Sequence, residues 1–153
     1  MNSILTLRKE LDEHKISAYE LTKHYLDKIK NYDTKLHSYI TVCEYEALEK
    51  AKAVQDKIMS ENSAMLCGIP LSVKDNICTK GIRTTCASKM LTDFVPSYDA
   101  TAVSKIKNSD AIILGKTNMD EFAMGSENET SYFGPVKNPH NTKFTSGGSS
   151  GGA

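Results

Sequence analysis

Two short apolar runs, at 69–73 and 111–114, constrain the fold of this chain more than any other feature. Each is too short for a buried helix. Turn residues bound them, Gly68 and Pro70 at the first and Asp110 and Gly115 at the second, so each reads as a buried strand. Pro70 sits at a strand start, where a missing N–H donor is tolerated. Between the runs the sequence predicts a helix over 100–108, with Asp99 as its N-cap and Ala102, Val103 and Ile106 turned inward. Strand, helix and strand in that order predict parallel pairing through a crossover, and so an α/β fold. Both strands are expected to leave apolar surface open, for further strands and helices to cover.

A helical arm precedes this core. Residues 3–14 predict a short amphipathic helix with Ile4, Leu7 and Leu11 on one side. Ser17 and Glu20 have the spacing of a capping box, in which hydroxyl and carboxylate satisfy each other's orphan amides. The helix they open carries a stripe of Leu21, Tyr25, Ile29 and Tyr32. Residues 38–42, β-branched and aromatic, read as a short strand. A third helix reaches about Met59 with Ala47, Ala51, Val54 and Ile58 inward, and Glu46–Lys50 and Glu49–Lys52 as surface pairs. The loop 60–63 divides the arm, 1–60, from the α/β part, 61–153. Residues 119–124 read as a short helix, and 125–145 as loop rich in Asn, Ser, Gly and Pro.

At 153 residues the chain is long enough for one ordinary domain. Its 19 basic and 19 acidic residues cancel, so no global positive field points to nucleic acid, although a partner could still hold one. Cys43, Cys67, Cys78 and Cys86 show no CxxC spacing and no histidine at ligand spacing, so no zinc site is expected. The first residues are too briefly apolar for a signal peptide, and no run approaches a membrane span. The expected setting is cytoplasmic, with reduced cysteines.

Two segments carry candidate chemistry. Gly147 to Gly152 place Ser149 and Ser150 between glycine pairs; such a loop can aim amides and hydroxyls at one point, yet alone it reads more readily as a linker. Lys74 leaves the end of a buried strand, where a cation is costly to desolvate and a neutral amine can serve as a base; alone it reads as a lysine turning to solvent. Asp75 either orients Lys74 or caps the next turn. Asp120 and Glu121 point about 100° apart on a helix and read as first-turn charges rather than an acid/base pair. His140 reads as a loop histidine, and the absence of GxxxxGK[ST] disfavours a phosphate-binding module.

Together the two segments resemble the amidase signature family, whose members use a Ser–Ser–Lys triad on an α/β fold. The resemblance implies the N-terminal part of that fold, a mixed sheet flanked by helices, in one incomplete amidase domain. Its lysine matches Lys74 in Gly68–Asp75, and its relay serine matches Ser149. Ser150, Gly148, Asp75 and Ser126 would support the site, with a cis peptide bond at Gly148–Ser149 and Ser126 near the substrate. The nucleophilic serine belongs to a later Asp-…-Gly-Gly-Ser motif that is not reached by Ala153. Segments 84–91, 98–103, 115–126 and 133–139 resemble one branch, the amidase subunits of aspartyl/glutamyl-tRNA amidotransferases, although the order at 126–130 departs from it. That branch implies hydrolysis of glutamine to supply ammonia for misacylated Asp-tRNA or Glu-tRNA. It also implies the B and C subunits of a heterotrimer as partners, with ATP and magnesium held by the partner and no metal or cofactor on this chain. A stand-alone amidase of the same family and a non-catalytic fragment are the alternatives.

Overall fold

The computed structural model describes residues 3–60 and 63–153, so Met1, Asn2 and the Glu61–Asn62 part of the expected divider lie outside the described residues. Four helices and three strands follow in the order α1 (Ile4–Asp12), α2 (Ala18–Leu36), β1 (Tyr39–Val42), α3 (Glu44–Ile58), β2 (Pro70–Lys74), α4 (Thr101–Asn108) and β3 (Ile112–Thr117). The sheet order is β1-β3-β2. β2 runs parallel to β3 with Lys74 opposite Thr117, and β1 runs antiparallel to β3, so the sheet is mixed. The crossover between β2 and β3 carries α4, as the strand–helix–strand order requires.

The helix starts follow their caps. Ser3 accepts from the Thr6 amide at the head of α1, and both bonds of the Ser17–Glu20 capping box are made. The Asp99 expectation fails at α4: Ala100 is the cap residue and makes no side-chain cap bond. The Asp99 carboxylate instead takes the Lys107 ammonium at 2.8 Å and the Lys80 amide at 2.7 Å, contacts that a charge-assisted acceptor prefers to a single helix amide.

Apolar side chains of all three arm helices meet the sheet. Leu7, Leu11, Leu21, Leu26, Ala47, Ala51, Val54 and Ile58 form one buried cluster with Ile69, Ile112 and Leu114. The expected open apolar face on the strands is found only in part: Ile69, Ile112 and Leu114 are buried in the cluster with α2 and α3, and Val73 is buried as well, while Leu71 and Ile113 are half-buried. Exposed apolar side chains sit mostly in loops and on helix surfaces, among them Met90, Met124 and Phe144, with Val42 at the end of β1. Tyr32 leaves the expected stripe and is exposed; the buried residues of α2 are Ala18, Leu21, Thr22 and Leu26, all in its first half. Lys50 bridges to Asp110 at 2.6 Å rather than pairing with Glu46, while Glu49–Lys52 forms as expected. Arg8, buried on α1, donates to the Cys67 carbonyl at 2.6 Å and to Ser63 Oγ at 2.7 Å, which ties the arm to the approach to β2. The short helix expected at 119–124 shrinks to a 3-10 turn at Glu121–Ala123, where Phe122 and Ala123 both adopt positive φ. Among the described residues no helix is long and apolar enough to cross a membrane.

Candidate active site

Alternation along β2 turns Val73 into the core and puts Ser72 and Lys74 on the other face. Lys74 is the last residue of the strand, so its side chain reaches past the sheet end. There the Gly-Ser loop returns, and Lys74 Nζ donates to Ser149 Oγ at 2.7 Å across 75 residues of sequence. The linker reading of this loop and the solvent-turned reading of Lys74 both give way to that contact. A recess of about 430 Å³ opens beside it, lined by Tyr39, Ser72, Lys74, Thr117, Ser150 and Gly152. At its floor Tyr39 and Ser72 share a hydroxyl–hydroxyl bond of 2.5 Å. Burial pushes the Tyr39 phenol above its ordinary pKa, with the Ser72 bond opposing. The Tyr39–Ser72 pair therefore presents neutral hydroxyls to the recess.

Main-chain bonds hold the serine loop. The Ser149 carbonyl accepts from the Asp120 amide at 3.1 Å, the Gly152 amide donates to the Asn118 carbonyl at 3.0 Å, and the Asn118 amide donates to the Ser38 carbonyl at 2.8 Å. The peptide bond between Gly148 and Ser149 is cis, as the resemblance implied. Ser150 is exposed, and its carbonyl accepts from the Ala153 amide at 3.0 Å. Ser126 is exposed too, on main chain that abuts Gly148.

Asp75 is wholly buried, and its side-chain hydrogen bonds go neither to Lys74 nor to the turn that follows β2 but to Thr85, ten residues on. Its Oδ2 accepts from the Thr85 amide at 2.8 Å and from the Thr85 hydroxyl at 2.5 Å. Its Oδ1 lies 3.7 Å from Nζ of Lys116, a lysine with no exposed surface. Lys116 donates to the Ile77 carbonyl at 2.8 Å and to Thr84 Oγ1 at 2.7 Å. Burial lowers its pKa, and the charge of Asp75 pulls it back up. Sequence reasoning missed Lys116. The available signal was the step of two from Ile112 through Leu114, which puts Lys116 at the next buried position of β3.

Asp120 is a second correction. It is no exposed first-turn charge but a side chain 1% exposed, whose carboxylate accepts from the Asn128 amide and the Thr130 hydroxyl, each at 3.0 Å. No periodic pattern announces it, because it sits in irregular backbone. His140 is exposed, as a loop histidine should be. Among the described residues no group of three His, Cys, Asp or Glu could hold a metal ion.

The geometry joins a strand-end lysine to a serine on a glycine-walled loop beside an open recess. Comparison with known proteins gives the same picture from another side. The profile described as Amidase matches residues 20–153. The A subunit of glutamyl-tRNA(Gln) amidotransferase from Saccharophagus degradans is 50% identical over 151 residues, covering 99% of this chain and 31% of that protein. Its counterpart of the same description from Lachnoclostridium phytofermentans is 52% identical over 97% of this chain and 31% of its own length. The chain thus spans about a third of the length of the curated relatives it matches. Among solved structures, the glutamyl-tRNA(Gln) amidotransferase A subunit of Thermotoga maritima superposes with a TM-score of 0.76 at 39% identity, over 95% of this chain and 30% of that one. The native peptide amidase of Stenotrophomonas maltophilia superposes with a TM-score of 0.90 at 29% identity, over 99% of this chain and 32% of that one.

Proposed function

The chain belongs to the Amidase family, and from that premise we propose that it is part of the glutamine-hydrolysing subunit of a tRNA-dependent amidotransferase. The chain is then one portion of a single amidase domain, with a helical arm up to about residue 60 and the beginning of the α/β core after it. The observation that carries the reading is the Lys74 Nζ–Ser149 Oγ bond of 2.7 Å, which joins the two segments that resemble the family's base and relay. The names of the relatives favour the tRNA-dependent branch over a stand-alone amidase.

In this reading Lys74 takes a proton from Ser149, and Ser149 takes one from a nucleophilic serine supplied by polypeptide beyond Ala153. The nucleophile's oxygen bonds to the glutamine side-chain carbonyl carbon. The C–N bond breaks, the proton returns through Ser149 to the leaving nitrogen, and ammonia departs. Water then releases glutamate from the acyl-enzyme. The ammonia amidates an Asp-tRNA or Glu-tRNA acyl group that the B subunit has activated with ATP and magnesium, and the C subunit completes a cytoplasmic heterotrimer. Ser150 supports the serine loop, and Ser126 stands near the approach of the substrate.

The test uses the polypeptide at its relatives' length, with and without the B and C subunits. Glutamine hydrolysis should fall by roughly 10³-fold or more in Lys74→Ala and in Ser149→Ala, because groups that act as a unit fail together, and by much less in Ser150→Ala. Wild-type rates in both of the first two variants would sink the assignment. Full amide hydrolysis that neither needs nor responds to partners and tRNA would favour the stand-alone amidase instead.

A further inference from the structure

The glycines around Ser149 are places where two buried side chains touch the loop. A Cβ on Gly148 would lie 2.1 Å from Asp120 Oδ2, and a Cβ on Gly151 would lie 2.2 Å from Asn128 Oδ1. Neither overlap falls on a free, flexible tip: the Asp120 carboxylate is fixed by bonds within the 120–130 loop, and the fully buried Asn128 side chain is held by packing and by the Gly151 amide. Asp120 Oδ2 accepts from the Asn128 amide at 3.0 Å, and Asp120 Oδ1 accepts from the Thr130 hydroxyl at 3.0 Å. That hydroxyl in turn accepts from the Glu121 amide at 3.0 Å, which commits its proton to the carboxylate. Asn128 Oδ1 accepts from the Gly151 amide at 3.1 Å. Asp120 is 1% exposed and Asn128 is 0% exposed. The serine loop therefore rests on two buried pegs, one under each glycine that flanks the serine pair, and the first peg also takes the Ser149 carbonyl through its own amide at 3.1 Å.

We propose that Asp120, together with Asn128, is a positioning residue of the site: the two set the height of the Gly148–Gly151 main chain so that Ser149 Oγ stands at hydrogen-bond distance from Lys74 Nζ. The inference rests on the amidase reading above for its catalytic consequence. Neither residue touches the recess that receives substrate, so each acts only through Ser149. Without the carboxylate the 120–130 loop loses its closure through the Asn128 amide and the Thr130 hydroxyl, and the main-chain bonds from the Asp120 and Gly152 amides are left to hold the serine loop over a looser support. A shift of about 1 Å between base and relay costs on the order of 10²-fold in rate while leaving substrate binding nearly intact. Asparagine at 120 can still accept from the Asn128 amide and donate to the Thr130 oxygen, so it keeps the shape and loses the charge-assisted bonds.

The experiment uses the polypeptide at its relatives' length, in its complex, with glutamine as substrate. Asp120→Ala should lower kcat by roughly 10- to 100-fold, with KM for glutamine changed by less than about threefold. Asp120→Asn should fall between wild type and alanine, and Asn128→Ala should follow the alanine variant in direction. Hydrogen exchange, read on the peptide covering 145–153, should be faster in Asp120→Ala than in wild type while the arm helices keep their protection. A kcat per folded molecule in Asp120→Ala within twofold of wild type would overturn the proposal. Unchanged exchange in 145–153 would overturn it as well, whatever the activity. The parent reading fails separately, through wild-type glutamine hydrolysis in Lys74→Ala and Ser149→Ala, and the exchange measurement then still decides whether the pegs hold the loop.

Discussion

Replacing Lys116 by methionine isolates the energetics of a buried charge in this fold. Lys116 and Asp75 are both 0% exposed, with Nζ 3.7 Å from Oδ1. At that separation, and an effective dielectric near 20, the attraction is about 4 kcal/mol, and each ion's desolvation costs several kcal/mol, so the pair is close to neutral for stability. Removing one member is different. Lys116→Met leaves the Asp75 carboxylate buried beside an apolar chain, and it strips donors from the Ile77 carbonyl and from Thr84 Oγ1. Such a break costs about 3–5 kcal/mol. Lys116→Met with Asp75→Asn removes both charges, and the double variant should be more stable than the sum of the singles by roughly 2 kcal/mol. Urea unfolding of the two single variants and the double variant measures the coupling.

The same variant changes the pH response. Because burial lowers the folded pKa of Lys116 beneath 10.5, its contribution to stability is present above 10.5 and is lost as pH falls through the folded value. Lys116→Met should abolish that rise on the alkaline side. A single variant within 1 kcal/mol of wild type, or strict additivity in the double, would refute the claim that an uncompensated carboxylate is what hurts.

Three shorter predictions follow from other groups. Burial raises the Cys43 thiol from 9.0 to about 11, so the stability it contributes below pH 9.0 should drain away towards pH 11, with a slope of at most about 1.4 kcal/mol per pH unit; Cys43→Ala should flatten that part of the curve in unfolding-midpoint measurements. Arg8→Met should destabilise by about 1.5–3 kcal/mol, because the Cys67 carbonyl and Ser63 hydroxyl lose a charged donor; an unchanged thermal unfolding midpoint would refute it. Ser17→Ala should cost about 1 kcal/mol through loss of the capping box, and a glycine at 17 should cost less.

Hydrophobic pattern made the arm and the sheet legible. Ala47, Ala51, Val54 and Ile58 are each within a few per cent of full burial, and the parallel β2–β3 pair follows from its strand–helix–strand order. The lysine and the relay serine were legible only jointly, through resemblance, since either alone fits a solvent-turned lysine or a linker. What stayed hidden is polar. Asp120 was read as a helix-end charge because the helix expected around it does not form; Phe122 and Ala123 take positive φ and leave a 3-10 turn. Asp99 looked like a cap because its two cationic and amide partners, Lys107 and Lys80, lie 8 and 19 residues away in sequence. Local propensity cannot see an acceptor's more distant suitors.

The two halves of the molecule accordingly rest on different interactions. Around the arm helices the buried residues are, apart from Arg8 and Thr22, apolar and interchangeable by volume, so pattern suffices to specify them. Under the site the buried residues include many polar ones, among them Asp75, Thr84, Thr85, Ser88, Lys116, Asn118, Asp120, Asn128 and Ser131. Each has a directional partner. Asn118 is the clearest case: its carboxamide donates to the His37 carbonyl at 2.9 Å and to the Gly134 carbonyl at 3.0 Å and accepts from Ser131 Oγ at 2.7 Å, so one side chain stitches the end of α2 and the 131–134 loop to the end of β3. An apolar residue there would satisfy packing and leave both carbonyls without donors, at about 1–3 kcal/mol apiece. A polar interior of this kind adds little net stability, but it admits few arrangements. The serine loop needs that property, because its position relative to Lys74 is fixed by what its glycines touch rather than by side chains of its own.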